Sequence, residues 1–286
     1  MRAYKVVDVF TKTPLKGNPV AVVLDAEGLG DDEMQAIARW TNLSETTFLL
    51  PPTKAGADYR LRIFTPVSEL PFAGHPTLGS AHAALEAGRV TAAAGVLTQE
   101  CGVGLVSLSI DPAGQPTFRL PPEKVTDLGE DDVAELEAVL GRAIVREAIP
   151  AKVDVGPVWI VAQMPSAEAL LALTPDMSRS AAFERRLGAT GISVFGRNGD
   201  PEGGIEVRSF APSGGVDEDP VCGSGNGAVA VFQRDRGLLG AGGARYVASQ
   251  GRCIGRDGKI EVRVEANGDV FVGGACVTGI NGVLSV

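Results

Sequence analysis

The sequence predicts an α+β protein made of two similar lobes. Its 286 residues exceed what one small hydrophobic core organises, so two lobes of ordinary size are expected. Segments rich in β-branched residues alternate with helical patterns along the chain. Short blocks of the first half also recur in the same order in the second half, which points to two lobes of one design.

The first half is predicted to hold several strands and two helices. One helix is expected over residues 31–41, because acidic residues begin it and Met34, Ile37 and Ala38 follow at helical spacing. The second opens at Gly74 and runs through small residues to about Ala87. The alternating patterns that predict strands cover residues 4–10, 20–24, 46–50, 60–65 and 103–110.

The second half repeats this order. A helix is expected to open at Gly223 and to end before Gly237, and turn dipeptides in the tail from residue 244 onward indicate hairpins. Pro121 and Pro122 indicate a boundary, so the first lobe is predicted over 1–119, completed by a strand at 277–286, and the second over 120–276. The other expected elements are strands near 153–162, 191–195 and 205–210, and helices near 131–140 and 166–173.

Three blocks carry the repeat. E-L-P-F-A-G-H at 69–75 matches E-D-P-V-C-G-S at 218–224 with an offset of 149 residues. R-I-F-T-P at 62–66 matches R-S-F-A-P at 208–212 with an offset of 146 residues. G-N-P-V-A-V-V from residue 17 resembles G-P-V-W-I-V from residue 156. Duplication explains all three better than coincidence among glycine-rich and proline-rich loops, and it predicts that both strand-loop-helix corners face a shared cleft.

Composition excludes several classes of protein. With 26 basic and 35 acidic residues and a net charge of −9, the surface is expected to repel nucleic acid and anionic membranes. The opening residues lack a signal-peptide pattern and no apolar run approaches about 20 residues, which predicts a cytoplasmic protein. Four cysteines without a C-x-x-C pair and two histidines argue against a metal site, and the nucleotide-binding motifs are missing, so a mechanism without cofactors is expected.

Each corner places a glycine where a helix begins. Gly74 follows Ala73 and precedes His75, and Gly223 lies between Cys222 and Ser224. Bare backbone N–H groups at the positive end of a helix can bind an anion, so two such corners suit a substrate that carries a carboxylate. The alternative is that both glycines only satisfy helix geometry.

Glu45 is the candidate acid/base group. It stands before the apolar run Phe48-Leu49-Leu50, where burial raises a carboxyl pKa and lets the group take up and return a proton. The repeat puts Gly191 opposite Glu45, so only one half carries the carboxylate. An exposed glutamate without a function is the alternative interpretation.

Asp219 and Cys222 are further candidates, and each has an alternative interpretation. Asp219 precedes Pro220, so it is either a second proton carrier, a group that orients the substrate, or a solvated turn residue. Cys222 precedes a helix N-terminus, which lowers a thiol pKa, although a small buried side chain that only packs is equally compatible.

The motifs taken together resemble one known family. V-D-V-F with G-N-P-V-A-V-V, then S-E-T-T-F, F-A-G-H-P-T-L-G and E-D-P-V-C-G-S occur in the order and spacing of the PhzF-like phenazine-biosynthesis family, over nearly the whole chain. The resemblance implies the diaminopimelate-epimerase-like fold, in which each lobe wraps a curved mixed sheet around a central helix, and it implies a homodimer.

The resemblance also implies an activity and a set of residues. Characterised members isomerise trans-2,3-dihydro-3-hydroxyanthranilate by moving a proton across the ring without a cofactor. Glu45 matches the family's acid/base glutamate. The remaining matches are His75, Asp219 and Ser224, which line the substrate site, and Gly74 and Gly223, which hold the substrate carboxylate through the backbone.

Cys222 departs from the family pattern, which usually has threonine there. Related epimerases and racemases place a catalytic cysteine at this position, but the second cysteine of their pair would fall at Ala73. Two alternatives therefore stay open: an amino-acid or hydroxy-acid epimerase or racemase that uses Glu45 and Cys222, and a carboxylate-binding protein without catalytic activity.

Overall fold

The computed structural model describes residues 1–199, 204–240 and 242–286. Its helices are α1 Asp31–Thr41, α2 Gly74–Glu86, α3 Glu130–Leu140, α4 Ala167–Leu171, α5 Met177–Leu187 and α6 Gly223–Asp235. Its strands are β1 Arg2–Val9, β2 Asn18–Val23, β3 Thr46–Leu50, β4 Tyr59–Phe64, β5 Glu69–Leu70, β6 Val96–Cys101, β7 Gly104–Ile110, β8 Pro116–Arg119, β9 Lys124–Asp127, β10 Ala151–Asp154, β11 Val158–Gln163, β12 Gly191–Arg197, β13 Ile205–Ala211, β14 Val216–Asp219, β15 Ala244–Gln250, β16 Gly258–Val264, β17 Val270–Gly273 and β18 Cys276–Leu284.

The first compact unit comprises Met1–Phe118 and Gly273–Val286. In its mixed sheet β1 pairs antiparallel with β2 and with β18. Strand β3 runs parallel to β2 and antiparallel to β4, and β6 runs parallel to β4 and antiparallel to β7. The second unit, Arg119–Val272, is continuous in the sequence.

The second unit repeats the strand order of the first. Strand β10 pairs antiparallel with β11, β12 runs parallel to β11 and antiparallel to β13, and β15 runs parallel to β13 and antiparallel to β16. The pairing register repeats as well, since Val7 faces Val20 where Val153 faces Trp159. The structure thus confirms the α+β class and the duplicated design.

Each unit carries one helix made of small, buried residues. In α2 the first eight residues are all buried, and in α6 nearly the whole helix is. Gly79 shows how close the packing is, because a Cβ added there would lie 2.4 Å from Val20 Cγ1 and 2.8 Å from Val9 Cγ2. Small residues therefore let α2 lie directly against β1 and β2.

Several predicted elements differ from the observed ones. The strand predicted over 153–162 is two strands, β10 and β11, separated by a turn in which Gly156 has a φ of 102°. Strand β6 and helix α5 were not predicted. Cys253 is exposed in a 3-10 turn over Arg252–Ile254 within the predicted tail of hairpins. No helix among the described residues has the length and apolar character needed to span a bilayer.

Candidate active site

Glu45 lies in the connection from α1 to β3. Helix α1 ends at Asn42, whose φ of 54° is left-handed, a conformation that asparagine tolerates better than most residues. The Thr41 hydroxyl bonds that of Thr46 at 2.7 Å, tying the helix end to the start of the strand. Glu45 immediately precedes β3, and its carbonyl accepts the Ala21 N–H at 3.3 Å. The backbone on both sides of Glu45 is therefore held.

His75 is the second residue of α2. Gly74 begins the helix, and a Cβ there would meet the Phe118 ring at 3.0 Å, so the aromatic ring packs against bare backbone. The Thr47 and Ser80 hydroxyls bond each other at 2.8 Å within buried surroundings and connect β3 to α2. This bond holds the middle of α2 against the strand that follows Glu45.

Glu45 and His75 form a pair within the first unit. Glu45 Oε2 lies 3.2 Å from His75 Nε2, and the side chains are only 16% and 8% exposed. Glu45 Oε2 is buried and makes no hydrogen bond with the described residues. Burial raises the pKa of Glu45 to about 7, and a hydrogen bond from the Ser44 side chain opposes this rise. A carboxyl group with this pKa can both accept and donate a proton near neutral pH.

The second corner, in the second unit, is held by an aspartate turn. Asp219 Oδ1 accepts the Val221 N–H at 3.0 Å across Pro220. Gln250 donates to the Asp219 carbonyl at 2.9 Å, and its side-chain oxygen accepts the Cys222 N–H at 3.1 Å. One amide side chain therefore fixes both ends of the segment that enters α6.

Cys222 caps α6. Its Sγ accepts the Gly225 N–H at 3.3 Å and lies 3.6 Å from Ser224 Oγ, and the residue is 5% exposed. The Asn226 side chain donates to the Cys222 carbonyl at 2.9 Å. The thiol is thus integrated into the helix N-terminus and satisfies one of its backbone donors.

Ser224 has a partner that the sequence did not predict. Trp159 Nε1 donates to Ser224 Oγ at 3.0 Å, and the indole is 3% exposed. Trp159 also pairs with Gly191, the glycine that the repeat puts opposite Glu45. A Cβ at Gly191 would lie 2.2 Å from the Phe210 carbonyl oxygen and 2.7 Å from the indole Cζ3. The position corresponding to Glu45 consequently has no room for a side chain.

The structure groups the predicted site residues in two sets. The first unit brings Glu45 together with Gly74 and His75. The second unit brings Asp219, Cys222, Gly223 and Ser224 into one corner. Among the described residues, no group of three or more histidine, cysteine, aspartate and glutamate side chains is arranged to hold a metal ion.

Sequence reasoning missed Trp159, Gln250 and Asn226 as neighbours of the candidate site residues. For Trp159 a signal was present in the repeat. The second half has Trp159 where the first has Val20, beside the position where it has glycine in place of Glu45. The hydrogen bonds of Gln250 and Asn226 join segments far apart in the sequence. No local pattern announces such bonds.

Comparison with known proteins decides the family. The family model described as phenazine biosynthesis-like protein matches residues 7–282. The chain belongs to this family. The resemblance found in the motifs is thereby confirmed.

Two curated family relatives cover nearly the whole chain. Antisense-enhancing sequence 1 of Schizosaccharomyces pombe is 42% identical over 98% of this chain and 97% of its own length. Trans-2,3-dihydro-3-hydroxyanthranilate isomerase of Pseudomonas chlororaphis is 37% identical over 94% of this chain and 92% of its own length. Further relatives are also named isomerases, and this family member is an enzyme of the isomerase class.

Solved structures confirm the fold of the family member. The PhzF-family phenazine biosynthesis protein of Bacillus anthracis superposes with a TM-score of 0.88 at 23% identity, covering 100% of this chain and 99% of its own. A hydroxyproline epimerase of Agrobacterium vitis superposes with a TM-score of 0.65 at 16% identity, covering 99% and 93%. The predicted diaminopimelate-epimerase-like fold is therefore correct.

Proposed function

We propose that this isomerase moves a proton within a small cyclic carboxylate or amino-acid substrate similar to trans-2,3-dihydro-3-hydroxyanthranilate, and that Glu45 is its acid/base group. The observation that carries the proposal is the buried Glu45 carboxyl with its raised pKa, 3.2 Å from His75 Nε2. The name of the relative from Pseudomonas chlororaphis supports the substrate class.

The proposed reaction needs only one base. Deprotonated Glu45 removes a proton from a carbon α or vinylogous to the substrate carboxylate, and the electron pair of the broken C–H bond shifts the double bonds. Protonated Glu45 then returns the proton to another carbon on the same face, so no atom or electron is gained or lost. His75 Nε2, beside the carboxyl oxygen, assists this transfer by stabilising the charged form of Glu45.

The residues that bind the substrate come from both sets. We assign the substrate carboxylate to the backbone N–H groups at Gly74 and Gly223 and to the Ser224 hydroxyl, and we assign to Asp219 the orientation of the substrate's amine or hydroxyl group. Negative charge that develops on the substrate during proton removal is stabilised by such fixed donors at helix N-termini.

Further proposals concern cofactors, partners and location. Because the reaction transfers a proton and involves no net oxidation, Glu45 and the binding donors suffice without a cofactor. The net charge of −9 favours a small-molecule partner over nucleic acid or a membrane. We also propose a cytoplasmic homodimer, which light scattering after gel filtration tests for the dimer and cell fractionation tests for the location.

The decisive experiment uses Glu45→Gln. Wild type is incubated with trans-2,3-dihydro-3-hydroxyanthranilate in deuterated water, and NMR follows loss of substrate and incorporation of deuterium at ring carbons. We expect wild-type rates to rise with pH as Glu45 loses its proton near pH 7, and we expect Glu45→Gln to lose about a thousandfold or more, since general-base catalysis commonly contributes 10²–10⁴-fold.

The labelled position separates the candidates. Deuterium at a ring carbon that the double bonds have left supports the isomerase, whereas deuterium at the α stereocentre without any migration of the double bonds supports the epimerase alternative with Cys222. An active Glu45→Gln variant would show that the base is another group. Tight binding of the substrate without any exchange in wild type would instead identify a carboxylate-binding protein.

A further inference from the structure

The two units place different pairs at the same point of the repeat. In the first unit, the second residue of α2 is His75, and its neighbour is the Glu45 carboxyl. In the second unit, the second residue of α6 is Ser224, and its neighbour is the Trp159 indole N–H. A pair of ionisable side chains thus corresponds to a pair that does not titrate in the neutral range.

The strand register shows that two amino-acid differences between the units lie at neighbouring positions. Val153 faces Trp159 as Val7 faces Val20, so Trp159 takes the position of Val20. Ile192 faces Phe210 as Thr46 faces Phe64, so Gly191 takes the position of Glu45. The larger side chain therefore appears directly beside the position that has lost its carboxylate, and its ring lies 2.7 Å from where a Cβ of residue 191 would stand.

The hydrogen bond from Trp159 limits where the hydroxyl proton of Ser224 can point. The indole nitrogen can only donate, so Ser224 Oγ accepts from Trp159, and the serine's own proton is directed elsewhere. Cys222 Sγ lies 3.6 Å away on the side of the helix N-terminus. A hydroxyl oriented in this way can donate to Cys222 Sγ or to an anion at the helix end, and it cannot turn its proton toward the indole.

We infer that Trp159 is a positioning and specificity-determining residue: it holds the Ser224 hydroxyl as a donor to the substrate carboxylate, and its ring fills the volume where a second base would stand. This inference rests on the proposed function of the same site. It accounts for the difference between the Glu45–His75 pair of the first unit and the Trp159–Ser224 pair of the second, and it assigns the one-sidedness of the reaction to a named side chain.

Trp159→Phe tests the donor, since it keeps an aromatic ring and removes the N–H. We expect KM for trans-2,3-dihydro-3-hydroxyanthranilate to rise about tenfold with kcat within about twofold of wild type, because a typical hydrogen bond contributes about a factor of ten or less. In a Ser224→Ala background the same substitution should change KM by less than about twofold, because Trp159 acts through Ser224. Thermal melts of all variants check that each is folded at the assay temperature.

A binding measurement makes the test independent of turnover. The protein has two tryptophans, and Trp40 is 77% exposed, so Trp40→Phe leaves Trp159 as the single indole fluorophore. Titration of this variant with cyclohexanecarboxylate should shift the emission of Trp159, and Glu45→Gln in the same background should show the same shift. Trp40→Phe alone is expected to keep wild-type kinetics.

The outcomes distinguish the role of Trp159 from the proposed isomerisation by Glu45. An unchanged KM in Trp159→Phe, or an equal rise in the Ser224→Ala background, overturns the role of Trp159 while leaving Glu45 untouched. If no form of the protein incorporates deuterium into the substrate, the proposed isomerisation is overturned, and the fluorescence titration then tests Trp159 independently. A shift in Trp159 emission that vanishes in Ser224→Ala supports its role. The absence of any shift overturns it.

Discussion

The Glu45 carboxyl has a thermodynamic consequence that can be measured without a substrate. Its folded pKa of about 7 lies above the ordinary value of 4.5, so between these values the folded state binds more protons than the unfolded state. Stability from this group is therefore fully present below about pH 4.5 and is lost as the pH rises toward 7. A shift of this size corresponds to about 3 kcal/mol at most.

The prediction compares wild type with Glu45→Gln, which stays neutral at every pH. Near pH 4.5 the two proteins should have similar free energies of unfolding, and at pH 8 the variant should be the more stable by about 3 kcal/mol or less. Urea denaturation at several pH values measures the difference. A constant difference between pH 4.5 and 8 would contradict the raised pKa.

Cys222 gives a second prediction at the residue scale. Its sulfur accepts the Gly225 N–H, and a serine hydroxyl accepts such a bond equally well. Cys222→Ser should keep the rate of substrate isomerisation within about threefold of wild type, with the exposed Cys253→Ser as control. A loss of a hundredfold in Cys222→Ser alone would indicate that the thiol takes part in proton transfer.

At the scale of elements, the central helices depend on glycine for close packing. Gly79→Ala would normally favour a helix, but its Cβ would overlap the side chains of Val20 and Val9. We expect a loss of about 2 kcal/mol in the free energy of unfolding, which is typical of overpacked cores. Gly282→Ala in β18 meets no atom within 4 Å and should change stability by less than about 0.5 kcal/mol.

Prediction of the elements succeeded where apolar spacing and burial agree. Helix α1 was predicted with its observed bounds because its acidic first turn and its buried Met34, Ile37 and Ala38 follow the helical rule. Helix α5 was missed because it buries Ser180 and Glu184, whose side chains bond each other at 2.7 Å. Strand β6 likewise buries Gln99, which bonds Tyr59 and Thr77. Buried polar pairs remove the hydrophobic signal on which sequence reasoning depends.

At the scale of the whole molecule, the duplication allows the same ion pair to be compared in two environments. Both units contain a two-pronged ion pair at the same point of the repeat, Arg62 with Glu69 and Arg208 with Glu218. Glu69 is 42% exposed and Glu218 only 8%. The same chemistry is therefore present in two different environments.

The different burial of the two ion pairs predicts different losses in the free energy of unfolding. Glu218→Gln leaves a buried guanidinium without its counter-charge and should cost about 3 kcal/mol, although Arg208 keeps its bonds to the Leu170 and Leu173 carbonyls. Glu69→Gln should cost about 1 kcal/mol or less, because solvent screens that pair. Chemical denaturation of the two variants in parallel measures the contrast. Equal losses would contradict the argument from burial.

The candidate site was predictable only in part. Comparing the halves singled out Glu45 and its counterpart Gly191, because the repeat preserves chain order and spacing. The proximity of Glu45 to His75 depends on how β3 and α2 pack. The indole beside Gly191 depends on the pairing register of β11 and β12. Sequence spacing specifies neither, since both are contacts between residues about 30 positions apart.

The C-terminal strand bears on how the chain is made. Strand β18 pairs with β1 from Leu284 against Arg2 to Cys276 against Val9, so the first unit joins the two extremes of the sequence. A ribosome releases every residue of the second unit before it releases β18. The second unit can therefore complete its own strand pairings while β1, which can already pair with β2, still lacks β18 on its other edge.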